Sequence, residues 1–365
     1  MTFSFAPARP LAQALRSHDN GFNLVRLVCA LLVVVYHAFQ LNVVHPGVDP
    51  ASALMGPTAD LGSLAVATFF LLSGLFVSHS WLRDPHLGRF AARRVARILP
   101  GLAVCLLLTT LVAIGWFSTR GWAMLADWAP WRYMGGAALL HGLQYNIAPQ
   151  ELSLPDVLGG MALNGPLWTL YWEGRMYVMV ALIGVAAVLP LRRWLRGAAL
   201  FLLLAANLFP DVASGYVWEV RMWSMFLCGM LLATLAPRVR VGPVQLACAL
   251  ALLALNWTRS AALTPSPVTW FGLALAASAA ALWVGSTGLA GLAHVRRHDY
   301  SFGVYIYHWP LLLLLRAALP PLDALPLLGV TLAVLLPVAA LSWHGVEQPV
   351  LRAVRRRLAR ASAAH

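Results

Sequence analysis

The chain has 365 residues, of which 60% are hydrophobic and only 11% charged. With a mean hydropathy of +0.73, that balance excludes both an ordinary soluble domain and a disordered chain. The formal net charge of +13 comes from 26 Arg and no Lys against 13 acids; a nucleic-acid-binding protein would show a similar excess, but in a membrane protein it reports orientation, because cytoplasmic loops collect basic residues.

Ten apolar segments are predicted to span the bilayer: 23–43, 61–82, 98–117, 168–189, 198–209, 217–236, 243–257, 268–285, 300–319 and 326–343. They recur without a long polar interval, so the expected architecture is all-α: a polytopic bundle of about ten helices over 1–349, with a basic cytoplasmic tail at 350–365 and both termini in the cytosol. The loops assigned to the cytosol hold Arg83, Arg89, Arg93, Arg94 and Arg97, then Arg192, Arg193 and Arg196, then Arg238 and Arg240, then Arg296 and Arg297. The opposite loops hold Arg120, Arg132 and Arg259 with most of the acids. This segregation supports the count and the orientation together. Arg9 and Arg16 ahead of an apolar run imitate a secretory leader, but the run is too long and too polar for one.

The first span, NLVRLVCALLVVVYHAFQLN, places Arg26 and His37 eleven positions apart. At about 100° and 1.5 Å per residue they share one side of a helix, about 16 Å apart along its axis. Asn23, Cys29, Tyr36 and Gln40 flank them, giving a polar stripe that belongs against protein or water and not lipid. His37 reads either as a core histidine bonded between helices or as a base for a hydroxyl nucleophile. Arg26 stays charged and suits a phosphate or a thioester carbonyl. Cys29, Cys105, Cys228 and Cys248 lie in apolar runs without metal-ligand spacing, so neither a disulfide framework nor a metal is expected. The long segment 118–165, rich in Trp and Tyr, reads as an interfacial aromatic belt or as an acceptor-binding loop.

Further motifs come in order: FFLLSGLFVS from Phe69, RRVARILP from Arg93, NGPLWTLYWEGRMY from Asn164, YSFGVYIYHWPLL from Tyr300 and VEQP from Val346. With the Arg26 and His37 pair, this set resembles the acyltransferase 3 family of integral membrane acyltransferases. The resemblance implies a fold of roughly ten helices in the cytoplasmic membrane. It also implies transfer of an acyl group, commonly acetyl, from acyl-CoA to a hydroxyl of a cell-surface glycan, lipid-linked sugar or secreted metabolite. Arg26 and His37 match the family's pair, whose histidine the resemblance makes catalytic, either deprotonating the acceptor hydroxyl or briefly carrying the acyl group. The expected partners are acyl-CoA, the glycan or lipid-linked acceptor and membrane lipid, with no nucleic acid and no metal.

Arg93, Arg94 and Arg97 sit where the third span leaves the cytosolic face, and their guanidinium groups match coenzyme A phosphates; lipid anchoring explains them equally well. Thr169, Glu173 and Tyr177 share a helix face. Glu173 is expected either to orient His37 as a supporting catalytic carboxylate or to pair with a buried Arg such as Arg221. Arg175, about 200° from Glu173, is not expected to neutralise it. Ser73-Gly74 is read as a close helix contact. Tyr305, His308 and Trp309 share a face beside Pro310; His308, Tyr305, Tyr177 and Trp168 are the expected substrate-lining residues, with a structural histidine as the alternative for His308. Glu347 reads as a structural ion pair among arginines. A transporter or flippase for a glycan or lipid-linked substrate is the competing function, since it too needs intramembrane charges.

Overall fold

The computed structural model describes residues 9–17, 20–42, 49–55, 58–140, 162–186, 217–243, 267–287 and 297–363, with isolated positions at 247, 250, 251, 254 and 295. These residues are almost entirely helical, as lipid requires of a backbone that has no water to bond. In chain order the helices are α1 (Leu11–Arg16), α2 (Phe22–Gln40), α3 (Pro50–Met55), α4 (Leu61–Arg83), α5 (Leu87–Phe117), α6 (Trp128–Ala138), α7 (Leu167–Ala186), α8 (Val217–Leu235), α9 (Pro267–Ser286), α10 (Ser301–Ala318), α11 (Ala324–Ser342) and α12 (Gln348–Ala363). A π-helical turn, Trp343–Glu347, joins the last two without a break. The extended pairing among the described residues is a two-residue antiparallel match of Arg9–Pro10 (β1) with Arg240–Val241 (β2).

Among the described residues, five helical stretches are long and apolar enough to cross a membrane: Phe22–Gln40, Leu61–Arg83, Leu87–Phe117, Thr269–Ser286 and Ala324–Ala361. The expected fifth span lies outside the described residues, as does most of the seventh. The other expected spans each fall on a helix. Two ends differ from the sequence reading. α5 starts at Leu87, eleven residues before the apolar run, so Arg89, Arg93, Arg94 and Arg97 ride on the helix itself. At 31 residues α5 is about 46 Å long, more than the ~30 Å of hydrocarbon. Hydropathy registers only the greasy part of such a helix. The segment expected as a basic tail is likewise helical, as α12.

The described chain divides into two compact units, and the division falls inside α2 and α7. In the first, α4 is the central element. Its start is fixed by a reciprocal cap: Asp60 accepts from the Ser63 N–H at 2.6 Å, and the Asp60 N–H donates to Ser63 Oγ at 3.3 Å. Asp49, 3% exposed, accepts from the Ala51 N–H at 3.0 Å and the Leu61 N–H at 3.2 Å, tying α3 to α4. Along α4, Gly74 and α8's Gly229 let two backbones meet. A Cβ on Gly74 would lie 2.1 Å from the Phe226 carbonyl oxygen, and one on Gly229 would lie 2.0 Å from that of Leu71. The small-residue contact expected at Ser73-Gly74 is therefore real at Gly74. α9 crosses the same helix, with Thr68 and Ser278 hydroxyls 3.4 Å apart.

In the second unit α5 plays the central part. Gly101 sits where Phe302 of α10 and Glu347 of the π turn come close, and Gly303 of α10 packs on Ala339 of α11. Pro100 and Pro310 both lie inside helices. Pro310 lacks the N–H that would reach the Ile306 carbonyl, and the Cys105 thiol donates to that carbonyl instead, at 3.2 Å. Glu347, 1% exposed, accepts from Ser342 Oγ at 3.0 Å and faces Arg97 Nη1 at 3.7 Å. That is the ion pair expected of Glu347, now with its partner identified. Trp116, Trp122, Trp128 and Trp131 are all exposed, in keeping with an aromatic belt at the membrane interface.

Because no side chain fits between α4 and α8 at Gly229, a Gly229→Val substitution forces these helices apart. It is expected to cost about 1–3 kcal/mol in a thermal melt of the detergent-solubilised protein, whereas Gly329→Val, a glycine with open space around its Cβ position, should leave the melt unchanged.

Candidate active site

α2 supplies the first two groups. Near its start, Arg26 Nη1 donates to Asp299 Oδ2 at 3.2 Å, and its guanidinium lies 4.7 Å from the centre of the Phe76 ring. Asp299 is 9% exposed as a side chain and also accepts from the Ser301 hydroxyl at 2.5 Å. Among the described residues, Nη1 is the Arg26 nitrogen with a hydrogen-bond partner. Its remaining donors are those a bound anion or carbonyl could use.

Further along α2, His37 Nδ1 lies 2.8 Å from His308 Nε2. The rings are nearly parallel, 12° apart with centroids at 5.0 Å. Trp309 stands edge-on to His37, centroids 4.7 Å apart. His308 is completely buried, and its Nδ1 lies 2.5 Å from the Tyr305 carbonyl oxygen. A carbonyl can only accept, so His308 Nδ1 carries a hydrogen. With both rings neutral, His308 Nε2 is then an acceptor, and His37 must donate to it from Nδ1. The lone pair of His37 is left on Nε2. This chain fixes one tautomer of a half-buried histidine through a sealed one.

The Asn164–Pro166 turn and α7 frame the same cluster. The Trp309 indole N–H donates to the Ala162 carbonyl at 2.7 Å, and Gly165 packs against that indole, its Cβ position 3.2 Å from Cε2. Thr169 Oγ1 donates to the Pro166 carbonyl at 2.8 Å, so the Tyr305 hydroxyl, 2.7 Å away, donates to Thr169. Asn164 is 1% exposed, yet among the described residues neither its Nδ2 nor its Oδ1 has a hydrogen-bond partner. An orphaned buried amide costs about 1–3 kcal/mol, and such groups call for an explanation.

Of the residues singled out in the sequence, His37, His308 and Tyr305 are thus brought together. Glu173 and Trp168 are half-buried on α7, Glu173 one turn beyond Thr169. Tyr177 is half-buried on the same helix. Arg175 turns away from Glu173 as expected: its guanidinium stacks on Tyr171. Arg221, the alternative partner expected for Glu173, lies against the rings of Trp218 and Trp270. Arg93, Arg94 and Arg97 are half-buried on α5, Arg94 over Phe90 and Arg97 over Phe302. Sequence reasoning did not anticipate Asp299, Asn164 or the pairing of the two histidines. Asp299 could have been found: it immediately precedes the YSFGVYIYH run, at the end of the expected ninth span that topology assigns to Arg26's side.

The helices and their apolar faces define a multi-pass membrane protein. Residues 19–344 match the family model described as an acyltransferase domain, and the chain belongs to that family, acyltransferase 3. It is 28% identical over 368 residues to "Nodulation protein 10" of Rhizobium leguminosarum bv. viciae, an alignment covering 92% of this chain and 94% of that one. It is 25% identical over 352 residues to the "O-acetyl transferase" of Shigella phage Sf6, covering 91% and 96%. No solved structure matches significantly.

The Arg26–Asp299 contact is mostly withdrawn from water, so the pair should be energetically coupled. A double-mutant cycle with Arg26→Gln and Asp299→Asn, read by thermal unfolding, is expected to give a coupling of about 0.5–3 kcal/mol; additive effects would show the contact to be incidental.

Proposed function

We propose that the protein is an O-acyltransferase of the cytoplasmic membrane that moves an acyl group, acetyl foremost, from acyl-CoA to a hydroxyl of a cell-surface glycan, lipid-linked sugar or secreted glycosylated metabolite. Family membership supports the acyl transfer, and the similarity to a protein named O-acetyl transferase supports oxygen as the acceptor atom. The single observation that carries the mechanism is the hydrogen-bond chain from His37 through His308 to the Tyr305 carbonyl.

In this reading His37 Nε2 takes the proton of the acceptor hydroxyl as its oxygen attacks the thioester carbonyl carbon. The C–O bond forms, the C–S bond breaks, and the proton returns from His37 to the departing thiolate. His308 does not touch substrate. It holds the His37 ring in the tautomer that leaves Nε2 basic, the role a third group plays in a triad. Glu173 adds a negative charge that favours the imidazolium formed in passing. The orphaned Asn164 amide donates to the carbonyl oxygen as it becomes an oxyanion. Arg26, Arg93, Arg94 and Arg97 hold the phosphates and carbonyls of the donor, while Trp168, Tyr177 and Tyr305 line the acceptor.

Acetyl transfer from labelled acetyl-CoA in membranes tests this. His37→Ala is expected to lower the rate by about 10²–10⁴, and His308→Ala by at least about a hundredfold although it leaves the base in place. Near-wild-type transfer in either variant contradicts the mechanism. Asn164→Leu should separate two quantities that a structural residue would move together: thermal stability rises as the orphaned amide disappears, while kcat falls by about 10²–10³.

A further inference from the structure

Arg221 sits one turn into α8, in the first unit, and makes no hydrogen bond and no ion pair with any described residue. Its guanidinium carbon lies 4.9 Å from the centre of the Trp218 ring and 4.5 Å from that of Trp270. Trp270 is 1% exposed and is anchored from the first turn of α9, its indole N–H donating to Ser63 Oγ at 3.4 Å. Asp60, the cap of α4, acts electrostatically on the same guanidinium. The starts of α4, α8 and α9 thus bring two indoles, a cation and a carboxylate together, at the end of each helix that the arginine distribution assigns to the outer side.

An arginine on an apolar helix is expensive unless its donors are used. The indoles stabilise the face of the guanidinium plane by cation–π attraction, but its five N–H bonds point outward in that plane, in a fixed fork. The two rings attract the face of the guanidinium, and the N–H fork at its edge is suited to an acceptor from outside. An anion is a poor candidate for that acceptor. Asp60 already acts on this cation as a negative charge, and Asp49 acts with it on Tyr36. The Asp49 carboxylate is already satisfied by Ala51, Ser52 and Leu61. Burial pushes the Asp60 carboxyl above its ordinary range, against the opposing hydrogen bonds from Ser63, so Asp60 gains from a further hydroxyl donor.

A neutral ligand bearing adjacent hydroxyls satisfies both groups at once, accepting from Arg221 and donating to Asp60. Trp218, 45% exposed, offers the rest of its indole surface to the apolar face of a ring. We propose that Arg221, Trp218, Trp270 and Asp60 form a binding site for an uncharged sugar ring. That this sugar is the acyl acceptor rests on the acyltransferase reading above; that it binds does not.

The test is saturation-transfer NMR on the full-length protein in an amine-oxide detergent, which carries no sugar headgroup, without acyl donor. The probes are methyl glucoside, methyl galactoside, N-acetylglucosamine and glucose 6-phosphate. The uncharged sugars should receive saturation in preference to the phosphate. Arg221→Gln, Arg221→Lys and Trp218→Ala should each weaken binding by about tenfold or more, since lysine lacks the fork and alanine the stacking surface, while Trp218→Phe stays within about threefold. Trp218→Ala, at an exposed position, serves as the variant whose folding is not in question. Unchanged sugar binding in Trp218→Ala and Arg221→Gln overturns the proposal, as does preference for the phosphate or no saturation of any probe. His37→Ala should bind sugar normally. Sugar binding by a protein that transfers no acyl group would sink the acyltransferase reading alone, and acyl transfer by a protein whose sugar binding is unmoved by both Arg221→Gln and Trp218→Ala would sink this proposal alone.

Discussion

A polar side chain on a membrane helix has no water to fall back on, and its hydrogen bonds must come from other parts of the protein. The histidine pair is built by that constraint. Pro310 withdraws one backbone donor from α10; the thiol of Cys105 fills the gap at Ile306, and the Tyr305 carbonyl one residue earlier accepts from His308. A proline that would weaken a helix in water here leaves the Ile306 carbonyl to a side chain of a neighbouring helix. The consequence is chemical as well as structural. Once Tyr305 fixes which nitrogen of His308 bears hydrogen, it also fixes which nitrogen of His37 does. In a low-dielectric interior such linked bonds reinforce one another.

The charges of the chain meet the same constraint in different ways. Arg26 is neutralised by Asp299, which a neighbouring hydroxyl also supports. Glu347, almost wholly buried, is held at a π-helical turn, where Ser342 and Arg97 attend its two oxygens. π turns concentrate at functional places because the extra residue re-aims side chains. Arg221 takes a third course, set against two aromatic faces, with Asp60 acting on it electrostatically. The tightest packing needs no charge: Gly74 and Gly229 set the approach of α4 to α8, and lipid offers no hydrophobic force that would make bulkier residues pack better.

Much of this was legible in the sequence, for physical reasons. The spacing of Arg26 and His37 comes from helix period alone, and Gly74 stood out as a small residue in a greasy run. Arg175 could be turned away from Glu173 by angle. Helix ends were less legible, because α5 carries its arginines on a helical extension that hydropathy reads as loop. The pairing of His37 with His308 was not legible at all. The two are 271 positions apart, and periodicity within a helix says which residues share a face but not which face another helix presents. Glu173 drew attention as the orienting group because a carboxylate is the commoner partner of a catalytic histidine; in the proposed mechanism a second imidazole with its own carbonyl acceptor takes that task. Asn164 was invisible for a different reason: an orphaned amide can be recognised only once its surroundings are known.

The central claim is that His308 sets the tautomer of His37. Solid-state NMR of the protein in lipid, with its histidine rings labelled with ¹⁵N, reports that tautomer without any substrate. The account predicts that, at neutral pH, His37 shows a protonated Nδ1 and a lone pair on Nε2, and that the distinction collapses in His308→Ala. A His37 ring protonated on Nε2 in the wild-type protein, or a tautomer unmoved by loss of His308, would contradict it.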